Sequence, residues 1–416
     1  MKSRLTQITI LKIALVILAA GFTPADAQIP EPIIVDSGVF PAGQPILMAD
    51  EDSNRLFSVT GRLDGGYWGF ALYVSDDAGG SWNKTYDEVW SEGYTHADAV
   101  LEEDSVYVSQ IDSWSSGNTE YFDLTVQRFD SNGNRDASFG GSGTVSVSGT
   151  TTFEISDVSL VAGAGYLEVF WIQDHLLRHS YLAIPSASSG VYHSNIGAVT
   201  AYGSLDAVAM SGSSTDFFAA FLGEGLQLRG WRWTFGVGHG LVDITPEMDL
   251  YPENEDVTVS SFGDYVEVVV ATPYYEPETR VYSMWSSNDA VSWHQEDVAW
   301  ATIVFDRHVW DPSVVTGPEG SILTYQVKDD LTGSDKFYKK VREHGGEWSG
   351  SEVLTSNTGF IGTPMGLCWS AGSGFTAAFY SNNPAASTVN FVRLQGLFSD
   401  GFEGGDLSAW SAAVGD

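Results

Sequence analysis

One short segment recurs seven times along the chain, and that recurrence limits the fold more than any other feature of the sequence. Its copies are Gln44-Pro45-Ile46-Leu47, Asp98-Ala99-Val100-Leu101, Asp157-Val158-Ser159-Leu160, Asp206-Ala207-Val208-Ala209, Asp256-Val257-Thr258-Val259, Asp311-Pro312-Ser313-Val314 and Thr363-Pro364-Met365-Gly366. Successive copies start 54, 59, 49, 50, 55 and 52 residues apart. Each time a polar residue opens a short apolar strand. A turn and a second strand follow, as in Gly163-Ala164-Gly165 before Leu167-Glu168-Val169-Phe170. A third strand comes next, such as Phe70-Ala71-Leu72-Tyr73-Val74. A second turn then lands at Gly79, Gly133, Gly190, Gly238, Ala290 and Gly345, always 32 to 35 residues after its marker.

Two signals with one period define a unit of four strands in roughly 53 residues, the size of a β-propeller blade. Helical periodicity is nearly absent, so the expected class is all-β. The seventh unit is short: the strand pattern stops near 397, leaving three strands. Ile33-Ile34-Val35 has no unit of its own and is the natural fourth strand, which closes a seven-bladed ring and removes its edges. A six-bladed ring with an extra hairpin is the alternative.

The ends differ from the repeats. Lys2 and Arg4 precede an apolar run from Ile13 to Gly21, and Ala25-Asp26-Ala27 fits a cleavage site. Residues 1–27 therefore read as a secretory signal, 28–398 as the propeller and 399–416 as an acidic tail, a sorting or anchoring tag. The mature chain is expected to be exported (secreted, periplasmic or at the cell surface) and monomeric, with no transmembrane segment. Against 19 Lys and Arg stand 54 Asp and Glu, a net charge of -35, which repels nucleic acid and anionic lipid. Cationic or neutral partners fit instead: Ca²⁺, a glycan or a basic protein. Cys368 is the single cysteine, so no internal disulfide supports the fold.

One turn carries a family resemblance. Ser75, Asp77, Gly79 and Trp82 fit S-x-D-x-G-x-x-W in full. Ser286, Asn288, Ala290 and Trp293 form a looser copy, and Glu343, Gly345 and Trp348 another. The pattern resembles the Asp-box (BNR repeat) of sialidases and related propellers. The resemblance implies a structural turn between the third and fourth strands, on the outer rim. An Asp can accept N–H groups of its own turn, Gly permits positive φ, and Trp buries apolar surface. In blade two, Arg128 to Gly140 is similar to a repeat of bacterial surface proteins, and Asp400 to Ser411 to a short ending of exported Gram-negative proteins.

The sialidase chemistry that the resemblance implies is not met. It needs three arginines on a carboxylate, the first in an F/Y-R-I-P segment, and that segment is absent. No arginine occupies an inner-strand start, and Arg178 and Arg280 fall in third strands. The inner-strand starts carry acids instead: Asp98, Asp157, Asp206, Asp256 and Asp311. Facing a channel, these could hold Ca²⁺ or another ligand, with His96 and Trp310 close by in sequence. Paired carboxylates could also hydrolyse a glycoside. Alternatively, each Asp caps an adjoining turn. The sequence therefore favours a non-catalytic binding propeller, with a glycoside hydrolase or lyase as the rival.

Overall fold

The β-branched and aromatic runs between the turns form strands, and these assemble into seven separate four-stranded antiparallel sheets. The structure is a computed structural model. It describes residues 33–394 except 38–43, 51–52, 92–96, 185–186, 188–189, 195, 211–215, 224–226, 235–237, 245–256, 273–277, 289, 303–306, 330–333, 356–364, 371–373 and 384–385. His96, Asp256, the signal-like segment and the tail lie outside the described residues.

Six sheets are consecutive in sequence: blades 1 to 6 span 46–91, 97–146, 155–193, 201–243, 257–302 and 307–355. Blade 7 takes three strands from 366–394, and Ile33–Ser37 pairs with the last of them. The register is Ile33 to Phe391, Ile34 to Asn390, Asp36 to Val389 and Ser37 to Thr388. The N-terminal strand thus closes the ring as the sequence predicts.

The first strand of each blade lies against the first strand of the next, and Gly366–Ser370 lies against Ile46–Ala49. These seven strands form the inner ring. Gly366 has to be glycine, because a Cβ there would collide with the carbonyl oxygen of Pro45. The fold is a seven-bladed β-propeller, with Phe139–Gly141 as the one helical turn among the described residues. No helix among them is long and apolar enough to cross a membrane.

The core is divided among the blades. Each blade faces the next through its own apolar cluster, such as Phe57, Val59, Phe70, Leu72, Val106, Val108 and Phe129 between blades 1 and 2. Leu47, Leu56, Cys368, Ala378, Val389 and Phe391 join blade 7 to blade 1. Seven seams hold seven blades, each sheet covered on both faces. Strands buried this way read as nearly continuous apolar runs rather than alternating ones.

The turns after the third strands are tied by side chains in blades 1 and 5 and by the backbone in blade 6. Ser75 Oγ accepts the Gly79 N–H at 2.8 Å and donates to Asp77 at 2.9 Å. Asp77 also accepts the Ser81 hydroxyl at 2.8 Å and its N–H at 2.7 Å, bonds that hold its carboxyl below the ordinary range. Trp82 leaves this turn to stack on Phe391 of blade 7, with ring centres 3.8 Å apart. Asn288 reproduces the core of the turn in blade 5, accepting the Ser292 N–H at 3.0 Å, while Trp293 packs on Phe218 of blade 4 at 5.4 Å. In blade 6 the Gly346 N–H bonds the Glu343 carbonyl at 2.9 Å, and Gly345 takes φ +69°.

Candidate functional site

Asp98, Asp157, Asp206 and Asp311 lie on inner strands. In blades 4 and 6 the strand starts earlier than expected, at Ala201 and Arg307, so the Asp falls inside it. Bulges account for this. The register slips between Gly203 and Leu205 and between Trp310 and Ser313, where Ser204 and Asp311 take φ of +45° and +49°. A bulge bends the strand and re-aims the side chains beside it.

The aim is sideways, toward the next blade. Asp98 accepts the Ala99 N–H at 2.8 Å with one oxygen. Its other oxygen accepts the Leu160 N–H at 2.6 Å and the Ser159 hydroxyl at 3.0 Å, both in blade 3. Asp157 repeats the arrangement with Val158 at 2.8 Å and Leu205 of blade 4 at 2.7 Å. Asp206 does so with Ala207 at 2.9 Å and Val259 of blade 5 at 2.7 Å. Hydroxyls serve two further positions: Ser204 accepts the Val257 N–H at 2.6 Å, and Ser260 accepts that of Thr316 at 2.9 Å. In blade 1, Gln44 donates to the Met365 carbonyl of blade 7 at 2.8 Å and to Ser313 of blade 6 at 3.1 Å. Inner strands of neighbouring blades belong to different sheets and share no ladder, so side chains satisfy the backbone groups between them.

Asp98 and Asp206 are half-buried carboxylates between the blades. Burial pushes Asp98 up to about 6 against the ordinary 3.8, opposed by the Leu160 and Ala99 N–H bonds and raised further by Asp157. Asp206 is raised well above its ordinary value by burial, then by the nearby Asp98. Such groups bind protons more tightly folded than unfolded, so between pH 3.8 and about 6 stability falls as pH rises. For Asp98 the full effect is of order 3 kcal/mol. Melting temperature should therefore drop between about pH 4.5 and pH 7, and Asp98→Asn with Asp206→Asn should flatten that slope. A melting temperature that is level or rising across this window would contradict the assignment.

Among the described residues, no three His, Cys, Asp or Glu side chains are arranged to hold a metal ion. Trp310 is half-buried beside the blade 6 bulge. A His–Glu pair of the type used for proton transfer does occur: His179 Nε2 lies 2.6 Å from Glu168. Both side chains are wholly buried, and Phe170 stacks on His179 at 4.5 Å, so no substrate reaches them.

The seam between blades 5 and 6 holds a second buried charge cluster that sequence reasoning missed. Arg342 and Glu267 are both 0% exposed and bond at 2.7 Å. Arg342 also bonds Glu296, and its guanidinium lies over Trp348 at 4.5 Å and Trp285 at 5.7 Å. The available signal was the shared Tyr-x-Glu at the second-strand starts, Tyr166 to Glu168 and Tyr265 to Glu267, each with a buried acid that needs a cation.

No family model matches the chain, and no curated protein matches its sequence. Its fold is similar to that of the BP39L lectin from Burkholderia pseudomallei, with a TM-score of 0.57 at 11% identity, covering 86% of this chain and 97% of that one. AofleA from Arthrobotrys oligospora (0.45, 12%, 79% and 88%) and the Aleuria aurantia lectin in complex with Fucalpha1-6GlcNAc (0.44, 10%, 85% and 93%) match more loosely. At these identities the likeness is one of fold.

Proposed function

We propose that this chain is an exported propeller that binds a glycan without cleaving it. The observation that carries the non-catalytic half is the fate of the inner acids. Asp98, Asp157 and Asp206 each spend both carboxylate oxygens on N–H groups, one of them in the next blade. A glycosidase needs one carboxyl free to protonate the leaving oxygen and a second free to attack or to activate water. The fold likeness to the whole length of a lectin supports the glycan half. Export rests on residues 1–27, and the resemblance to the Asp-box propellers rests on the turns at Asp77, Asn288 and Glu343.

The test uses the mature chain, residues 28–416, on an array of neutral, amino and acidic glycans, with the same glycans also checked for released sugar. Binding to a defined glycan class with no release is the expected result. Released sugar would replace this reading with a hydrolase, and silence across the array at millimolar glycan would remove the glycan.

A further inference from the structure

Arg178 stands apart from the other arginines. Each of the others whose side chain is described makes an ion pair or a hydrogen bond. Arg178 makes neither among the described residues, and its Nε is buried without a partner. The chain carries 54 Asp and Glu, so acids that could pair with it are not scarce. A half-buried guanidinium left unpaired costs stability, which points to a partner outside the chain.

Strand alternation shows what surrounds it. Arg178 follows the Asp174–His175 turn and lies directly opposite Trp171. Trp171 is 4% exposed and packs into the seam between blades 2 and 3, with Leu124 and Val126 of blade 2. Its Nε1 is also buried without a partner. Two neighbouring donors on one face thus lack an acceptor. His193 is the diagonal neighbour on the fourth strand: it pairs with Ser180, whose hydroxyl lies 2.6 Å from Nδ1. That leaves Nε2 of this exposed histidine as its outward nitrogen. The residues of Tyr166–Gln173 and Leu176–Ala183 that share the face with Arg178 include no Asp or Glu.

The connection from blade 2 passes beside this spot. Gln173 donates to Thr151 Oγ1 at 3.3 Å, and the Asp174 N–H bonds the Glu154 carbonyl at 3.0 Å. Phe153, held between those two bonds, is 58% exposed. Glu154 and Asp174 stand exposed at the same turn, and neither pairs with Arg178.

We propose that this end of the blade 2–3 seam binds an acidic sugar, the carboxylate taken by Arg178 with His193 beside it and the ring lying on Phe153. A guanidinium fork matches a carboxylate with two parallel bonds, and both it and an indole N–H can only donate. An exposed aromatic ring offers the apolar surface that a pyranose face stacks on. The net charge of -35 disfavours an anion at long range, so the attraction is local to this arginine. The proposal rests on the glycan reading above and names the sugar class and the place.

The probe is an α-1,4-linked galacturonic acid trimer against its methyl ester, titrated calorimetrically into the mature chain. The acid form is expected to bind at least tenfold tighter. Arg178→Met should weaken it at least tenfold and leave the melting temperature level or higher, because the change removes an unpaired cation. Phe153→Ala, at an exposed position, should weaken it at least threefold. Equal affinity for the trimer and its ester overturns carboxylate recognition. Unchanged affinity in both variants overturns the location, while the glycan reading survives. A lower melting temperature for Arg178→Met with binding intact gives the arginine a structural role and overturns the proposal. No binding of either trimer, with other glycans positive on the array, overturns the sugar class alone. Tighter binding of a sulfated galactose trimer than of the galacturonic acid trimer assigns the site to sulfate and overturns the carboxylate.

Discussion

Replacing Arg342 with alanine is expected to destabilise the protein by about 3–5 kcal/mol, because it strands a buried charge. Glu267 would keep its bond from Ser283 at 2.8 Å but lose the cation 2.7 Å away, in a seam where both side chains have no exposure. Trp348 would also lose the guanidinium it packs on at 4.5 Å. The effect comes from the orphaned carboxylate rather than from any large net value of the ion pair, since desolvation cancels much of the attraction. The double variant Arg342→Met with Glu267→Gln should therefore recover most of the loss. Denaturant unfolding measures both. If the single variant costs under about 1 kcal/mol, the carboxyl at Glu267 has found a proton or water, and the seam is wetter than the structure shows.

Deleting residues 33–37 should have a comparable or larger effect, and of a different kind. Four residue pairs are lost with this strand, removing several backbone hydrogen bonds at about 1 kcal/mol each. The deletion also uncovers the strand Ala386–Leu394 along its outer edge, the one whose Phe391 supports Trp82 across the seam. An uncovered edge pairs with other chains, so self-association joins the fall in melting temperature. Size-exclusion chromatography and thermal melts report the two effects. A synthetic peptide of residues 28–40 added in excess should restore the parent's elution and melting, as a strand supplied from outside. A truncated chain that melts and elutes like the parent would show that the last blade stands on three strands.

The architecture was legible because the ring makes every blade solve the same problem. Each needs a polar group where its inner strand begins and a tight turn after its third strand, and the period from Asp98 to Asp157 to Asp206 records that need. What those aspartates bond was not legible. A carboxylate that caps its own turn and one that crosses to the next blade are the same letter, and Asp98 meets Leu160 62 residues away. Arg342 was missed for a related reason: its partner Glu267 is 75 residues away and in another blade.

The closing strand also sets the order in which the molecule can be completed. Ile33 is synthesised long before Phe391, the residue it pairs with, and blades 1 to 6 lie between them. Within a blade the contacts are local and form early, whereas this one contact spans nearly the whole chain and comes last. Until then the growing protein is an open arc with an unfilled slot in its final sheet and an unpaired strand at its other end, and that half-finished arc is the form most open to capture by another chain.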